Sequence, residues 1–248
     1  MVQLVGILNV TPDSFSDGNQ FLEPEKAIER VIKLFKDGAA LVDIGAESTR
    51  PGATKLTPDQ EWQRLEPVLE KLLKRFSGKL SVDTYHPETA ERALKLGEVI
   101  INDVTGMNNM AMIEVVSRFR ARCIVSQLPA ADTQTAHDGA LINDQTIIKN
   151  DLLAKANLLK SKGLKHSQII LDPGIGFGKT PELNQKLLRF AEQLPDYQVM
   201  IGYSRKRFLG DHRMELEPNL AAGRIAIAAG AAYLRVHDVA GHRQLLQS

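Results

Sequence analysis

Arg235-Val236-His237 sets a guanidinium and an imidazole two residues apart. Side chains at i and i+2 of a strand share a face, so the pair can converge on an anion such as phosphate while Val236 turns into packing. An arginine–carboxylate structural pair is the competing explanation. Ser204-Arg205-Lys206 repeats the spacing earlier in the chain. With Gly202 it approaches the Gly-x-Ser-x-Gly nucleophile turn, but Lys206 stands where that turn demands glycine, which rules out serine-hydrolase chemistry. Lys206 can instead offer its ammonium to a ring heteroatom or an anion, with Ser204 beside it. Asp83, Asn102 and Asp172 follow or end three apolar runs. Together they can hold the N–H groups of a nitrogen heterocycle, although each alone could cap a following helix. Asp103, next to Asn102, should face away and be structural.

Asp172-Pro173-Gly174-Ile175-Gly176-Phe177-Gly178-Lys179-Thr180 is the richest glycine loop. A Walker loop would need glycine where Pro173 stands, and a dinucleotide fingerprint starting at Gly174 would need one at Lys179. What remains is an acidic strand end followed by backbone able to turn sharply against a ligand, with Phe177 placed to stack on something flat. Two more polar segments, Asn9–Gly18 and Glu47–Ala53, follow apolar runs. Oxygens of Asn9, Asp13 or Asp17 would suit Mg²⁺, which keeps several waters and bridges substrate phosphates. Six histidines form no His-Glu-x-x-His pair and there is one cysteine, so no zinc-type cluster is expected.

These groups need a scaffold that gathers strand ends. Eight apolar runs are each followed by a helical pattern: 4–8, 41–44, 80–82, 99–101, 123–125, 169–171, 199–201 and 233–236. Alternation of that kind implies parallel β/α units, and eight of them make a closed (β/α)8 TIM barrel, whose chemistry lies at the carboxyl ends of its strands. The 248 residues fit one such domain, spanning 1–248. Trp62, Leu65, Leu69, Leu72 and Phe76 draw one helical stripe. Thr57-Pro58 with Gln60 is a capping box, and Thr180-Pro181 marks a second helix start before Leu183, Leu187 and Leu188. Three long loops, 11–23, 45–55 and 128–143, follow strands 1, 2 and 5 and would overhang the mouth as lids. Hydrophobic residues make up 43% and aromatics 5%, which suits an aliphatic barrel interior. A formal charge of +1 advertises neither nucleic acid nor an anionic membrane. The first residues carry no basic region, and no run approaches the roughly 20 apolar residues of a membrane helix, so a cytoplasmic protein is expected.

Seven segments together resemble the dihydropteroate synthase family: Asn9–Gly18, Asp43–Gly52, Ser81–Thr84, Ile101–Val104, Asp172–Thr180, Ser204–Lys206 and Arg235–Asp238. They cover nearly the whole chain in that family's order. The resemblance implies a homodimeric TIM barrel that joins 6-hydroxymethyl-7,8-dihydropterin pyrophosphate to p-aminobenzoate for folate synthesis, and a sulfonamide target. It implies that Asp83, Asn102, Asp172 and Lys206 hold the pterin, with Asp83, Asp172 and Lys206 serving catalysis. Asn9, Arg50, Arg235 and His237 would hold the pyrophosphate, with Mg²⁺ near Asn9 and Asp13. Phe15, Thr49, Pro51 and Ser204 would shape the p-aminobenzoate pocket. The chain departs from the family at the end of the fifth strand, where Ser126-Gln127 replaces the usual Met-His. Two alternatives stay open: a paralogue that binds pterin without catalysis, and a pterin-dependent methyltransferase barrel.

Overall fold

The computed structural model describes residues 1–10, 23–47, 55–129 and 141–246. Its strands are β1 (Gln3–Asn9), β2 (Leu41–Gly45), β3 (Leu80–Asp83), β4 (Ile100–Asp103), β5 (Cys123–Ser126), β6 (Ile169–Asp172), β7 (Gln198–Ile201) and β8 (Tyr233–Val236). All pair in parallel with their neighbours in chain order, and β8 returns to β1, closing the barrel. The helices are α1 (Glu23–Asp37), α2 (Pro58–Phe76), α3 (Pro87–Leu96), α4 (Met110–Arg118), α5 (Gln145–Ser161), α6 (Pro181–Lys186), α7 (Leu216–Ala228) and α8 (Val239–His242). The expected eight β/α units are all present.

Strand alternation divides the core in two. Leu4, Val42, Val82, Ile101, Cys123, Val125, Leu171, Val199 and Leu234 face the helices in the larger cluster. Val5, Leu41, Ile100, Ile124, Ile170, Met200 and Tyr233 form a separate cluster inside the barrel. That inner cluster is a floor, and Arg122 donates to the Tyr233 hydroxyl at 2.9 Å beneath it. Because side chains repeat their face every second residue, the next inward residues stand directly above the floor. They are Ile7, Asp43, Asn102, Ser126, Asp172, Gly202 and Arg235. On every strand of that set but β1, one period thus leads from an apolar floor to a polar residue or, at Gly202, to a glycine.

The helices begin as their sequences dictate. Thr57 accepts from the Gln60 amide at 3.2 Å, and the Gln60 side chain returns to the Thr57 amide at 3.0 Å. The stripe of α2 buries Leu65, Leu69 and Leu72, and Phe76 stacks on Phe35 of α1 with centroids 4.3 Å apart. Thr180 caps α6 as expected, but the helix ends at Lys186 and continues as a 3₁₀ segment over Leu187–Gln193. There the buried positions Leu187 and Phe190, and Leu188, Ala191 and Leu194, recur every three residues, which is the 3₁₀ period. Segments 11–22, 48–54 and 130–140, which carry most of the three expected lids, lie outside the described residues. No described helix is long and apolar enough to cross a membrane.

Candidate functional site

Asp43 is the hub of the polar layer. It is 1% exposed and lies on β2 two residues above the floor residue Leu41. Its carboxylate accepts from Ser81 Oγ at 2.5 Å, Asn102 Nδ2 at 3.0 Å and Arg235 Nε at 2.7 Å. A buried carboxylate survives only with such partners. Arg235 also donates through Nη2 to Asp83 at 3.0 Å, so its guanidinium bridges the ends of β2 and β3. Burial opposes the charge on Arg235, but Asp43 and Asp83 outweigh it and raise its pKa. Burial, reinforced by the Asp43 charge, pushes the Asp83 carboxyl up to about 7 against the pull of Arg235. Asp43 was not among the candidate site residues. The available signal was a carboxylate inside the apolar run Leu41–Ile44, at inward spacing from Leu41.

Across the mouth, Asp172 ends β6 and accepts from the Gly174 amide at 2.7 Å. Burial raises its pKa, while Lys206 is the main opposing influence. Lys206 donates to the Ile175 carbonyl, and its ammonium lies 5.4 Å from the centre of the Phe177 ring. Burial pulls this ammonium down to about 8, and Asp172 resists. Phe177, expected to stack on a flat group, faces a cation here. The loop's shape depends on Gly176, whose φ is +89° and whose missing Cβ would lie 3.2 Å from Lys206 Cδ.

His237 and Ser204 meet at the ends of β8 and β7, with Nδ1 to Oγ at 3.1 Å. Arg235 on β8 and His237 just past its end diverge: the arginine turns to two carboxylates and the histidine ring meets Ser204. The turn carrying Ser204 is sharp. Arg205 has φ +62°, and its amide is held by Asn219 at 2.9 Å, whose own amide donates to Arg213 and Glu215 carbonyls. Asp103 faces away from the mouth, accepting from Thr105 N and Oγ1 and from Met107 N, a purely structural set. Ser126 is buried and in register with Asp172, and the neighbouring Gln127 is buried with its Oε1 unpartnered. Asn9 is exposed at the end of β1. Asp13, Phe15, Asp17, Thr49, Arg50 and Pro51 lie outside the described residues.

Beside the mouth, Glu47 contacts His86 Nε2 at 3.2 Å and accepts from the Tyr85 hydroxyl. Burial works against the Glu47 carboxylate, yet His86 and Tyr85 hold its pKa below the usual value. Among the described residues no three His, Cys, Asp or Glu side chains group into a metal site. The arrangement offers acceptors and an amide (Asp83, Asp172, Asn102) and an ammonium (Lys206) to a flat polar ring. Arg235, His237 and Ser204 lie beside them for an anionic substituent.

Residues 5–237 match the family described as pterin binding enzyme. The dihydropteroate synthase of Clostridium beijerinckii is 35% identical over 245 residues, spanning 95% of this chain and 88% of that protein. A dihydropteroate synthase structure from Clostridium difficile, determined in the presence of pteroic acid, matches with a TM-score of 0.89 at 35% identity, covering 99% of this chain and 94% of that one. The Xanthomonas albilineans dihydropteroate synthase with 4-aminobenzoic acid matches with a TM-score of 0.88 at 34% identity, covering 99% and 91%.

Proposed function

Because the chain belongs to the pterin binding enzyme family, we propose that it catalyses dihydropteroate synthesis. It would transfer the pterin methylene of 6-hydroxymethyl-7,8-dihydropterin pyrophosphate to the amine of p-aminobenzoate. The observation that carries this reading is the polar layer above the floor, where Asp43 ties Asn102 to Arg235, Arg235 reaches Asp83, and the charges of Asp172, Arg235 and Asp83 act on Lys206.

In the reaction the methylene C–O bond breaks, a C–N bond forms, and the amine loses one proton as pyrophosphate departs. Asp83 and Asp172 accept N–H groups of the pterin and, as carboxylates, stabilise the positive charge that spreads into the ring as the leaving group goes. Lys206 donates to an acceptor on the ring. Arg235 and His237 hold the leaving anion, for which Arg235 must loosen from Asp43 or Asp83. Ser204 orients the amine; Phe15, Thr49 and Pro51 would join it in shaping the p-aminobenzoate pocket, and Arg50 would add a contact to the pyrophosphate. No covalent enzyme nucleophile is required, in keeping with Lys206 closing off the serine-elbow motif.

Asn9, exposed at the end of β1, carries an amide oxygen, a hard neutral donor of the kind that suits Mg²⁺, and Asp13 would be the second ligand. Bound there with the substrate, the ion would supply positive charge to the departing pyrophosphate. The working form is a homodimer, and its substrates are the pterin pyrophosphate and p-aminobenzoate.

The test is product formation from pterin pyrophosphate, p-aminobenzoate and Mg²⁺, followed by mass spectrometry. Dihydropteroate that disappears without p-aminobenzoate supports the reading. Pterin binding with no product would replace it with the non-catalytic pterin-binding paralogue.

A further inference from the structure

Lys179 is 5% exposed, deeper than Lys206 or Arg235, and has no role in the chemistry above. Its ammonium donates to three backbone carbonyls: Gly174 at 2.9 Å, Phe177 at 3.0 Å and Gln127 at 3.2 Å. An ammonium has three N–H groups, so all are spent on backbone and none remains for a ligand. Two of the carbonyls belong to the loop after β6 and the third to the segment after β5. The two segments press closely, since a Cβ on Gly174 would stand 2.1 Å from the Gln127 carbonyl oxygen. Asn184 of α6 fastens the same loop from the other side, accepting from Gly176 N at 2.7 Å and donating to Lys179 O at 3.2 Å.

The loop so fastened carries the pocket. Its Gly174 amide holds Asp172, its Ile175 carbonyl holds Lys206, and its Phe177 ring faces the Lys206 ammonium. We propose that Lys179 is a positioning residue, a three-carbonyl knot that fixes the β6 loop and thereby aims Asp172, Phe177 and Lys206 at the pterin. This assignment rests on the pterin pocket of the proposed function, but concerns a side chain that does not touch substrate. The surrounding charges fit a buried cation in balance. Burial draws the Lys179 ammonium down to about 7. Asp172 and, from α5, Asp151 hold it up, while Lys206 and Lys155 oppose it.

The test compares three variants of the full chain. Lys179→Met keeps the length and removes every donor. Lys179→Gln keeps two N–H donors. Leu159→Ala, in the buried face of α5 and away from the loop, is the control for lost stability. Affinity for 6-hydroxymethylpterin is read by calorimetry, and KM for each substrate by product formation. Lys179→Met should weaken pterin binding and raise the KM for pterin pyrophosphate at least tenfold, with the p-aminobenzoate KM within threefold. Lys179→Gln should fall between it and the wild type, and Leu159→Ala should keep wild-type pterin affinity at a comparable loss of melting temperature. Pterin affinity within twofold of wild type in Lys179→Met, or a loss matched by Leu159→Ala, overturns the assignment. If Lys179→Met does not fold, Lys179→Gln carries the same comparison. Wild-type protein that binds no pterin would instead overturn the functional reading, a separable result.

Discussion

Arg235 shows how a single side chain can be structural and functional at once. Its guanidinium spans Asp43 and Asp83, so removing it strands a carboxylate that is 1% exposed. Breaking a buried pair costs about 3–5 kcal/mol. Arg235→Ala should therefore lose about that much in urea denaturation, and Asp43→Asn added to it should recover part of the loss; independent, additive costs would refute the coupling. Asp83 gives a pH signature. Its folded pKa, near 7, lies above the unfolded value, so its contribution to stability is present at low pH and lost as pH rises through 7. A pterin N–H needs the opposite state, the carboxylate. Pterin affinity should thus be level above about pH 7 and fall about tenfold per unit below it, the slope of one linked proton. A flat profile, or a slope that persists in Asp83→Asn, would count against Asp83. The strand-end candidates Asp83, Asn102 and Asp172 were legible because each follows or ends an apolar run. Asp43 was hidden by lying inside one, and the partners of Arg235 could not be read because its carboxylates lie 192 and 152 residues away.

At the level of elements, the eight strands were readable because every unit repeats the same exchange of period, from two to 3.6. Even so, α6 shortens into a 3₁₀ segment that the leucine spacing does not foretell, since Leu183 and Leu187, four apart, fit an α-helix, and the three-residue recurrence starts only at Leu187. The β6 loop was recognised as a close-approach turn from its glycines, but Lys179 entered that reading only as the residue that spoils a dinucleotide motif. Its carbonyl partners depend on how β5 and β6 meet. Gly176 permits a direct check. Alanine there would adopt φ +89° with its Cβ 3.2 Å from Lys206. Left-handed backbone costs a non-glycine residue about 1–2 kcal/mol. Gly176→Ala should lower stability by about that amount and weaken pterin binding by displacing Lys206. A variant with reduced stability and unaltered pterin affinity would show that Lys206 is not held in place by this turn.

Across the whole molecule, floor and mouth are layers of one barrel. Ile170 sits in the floor and Asp172 directly above it on β6. Ile170→Ala should destabilise by about 2–5 kcal/mol, as deleting buried aliphatic groups does, while the folded fraction binds pterin as before. Asp172→Asn should do the reverse, retaining the melting temperature within a few degrees and losing pterin recognition. Similar effects of both substitutions on both properties would mean the layers are not separable.

The two-residue interval between those layers also gives the barrel a form of proofreading. A strand that paired one residue out of step would turn Asp43, Asn102 or Asp172 toward the helices and carry its aliphatic neighbours inward. The error that spoils the site is thus the same error that spoils the core. A closed barrel with a scrambled mouth is not an economical state, and inactive molecules should be found among the unfolded. Protein refolded from urea should then regain activity in step with its barrel circular dichroism, and a folded, inactive fraction would break that link.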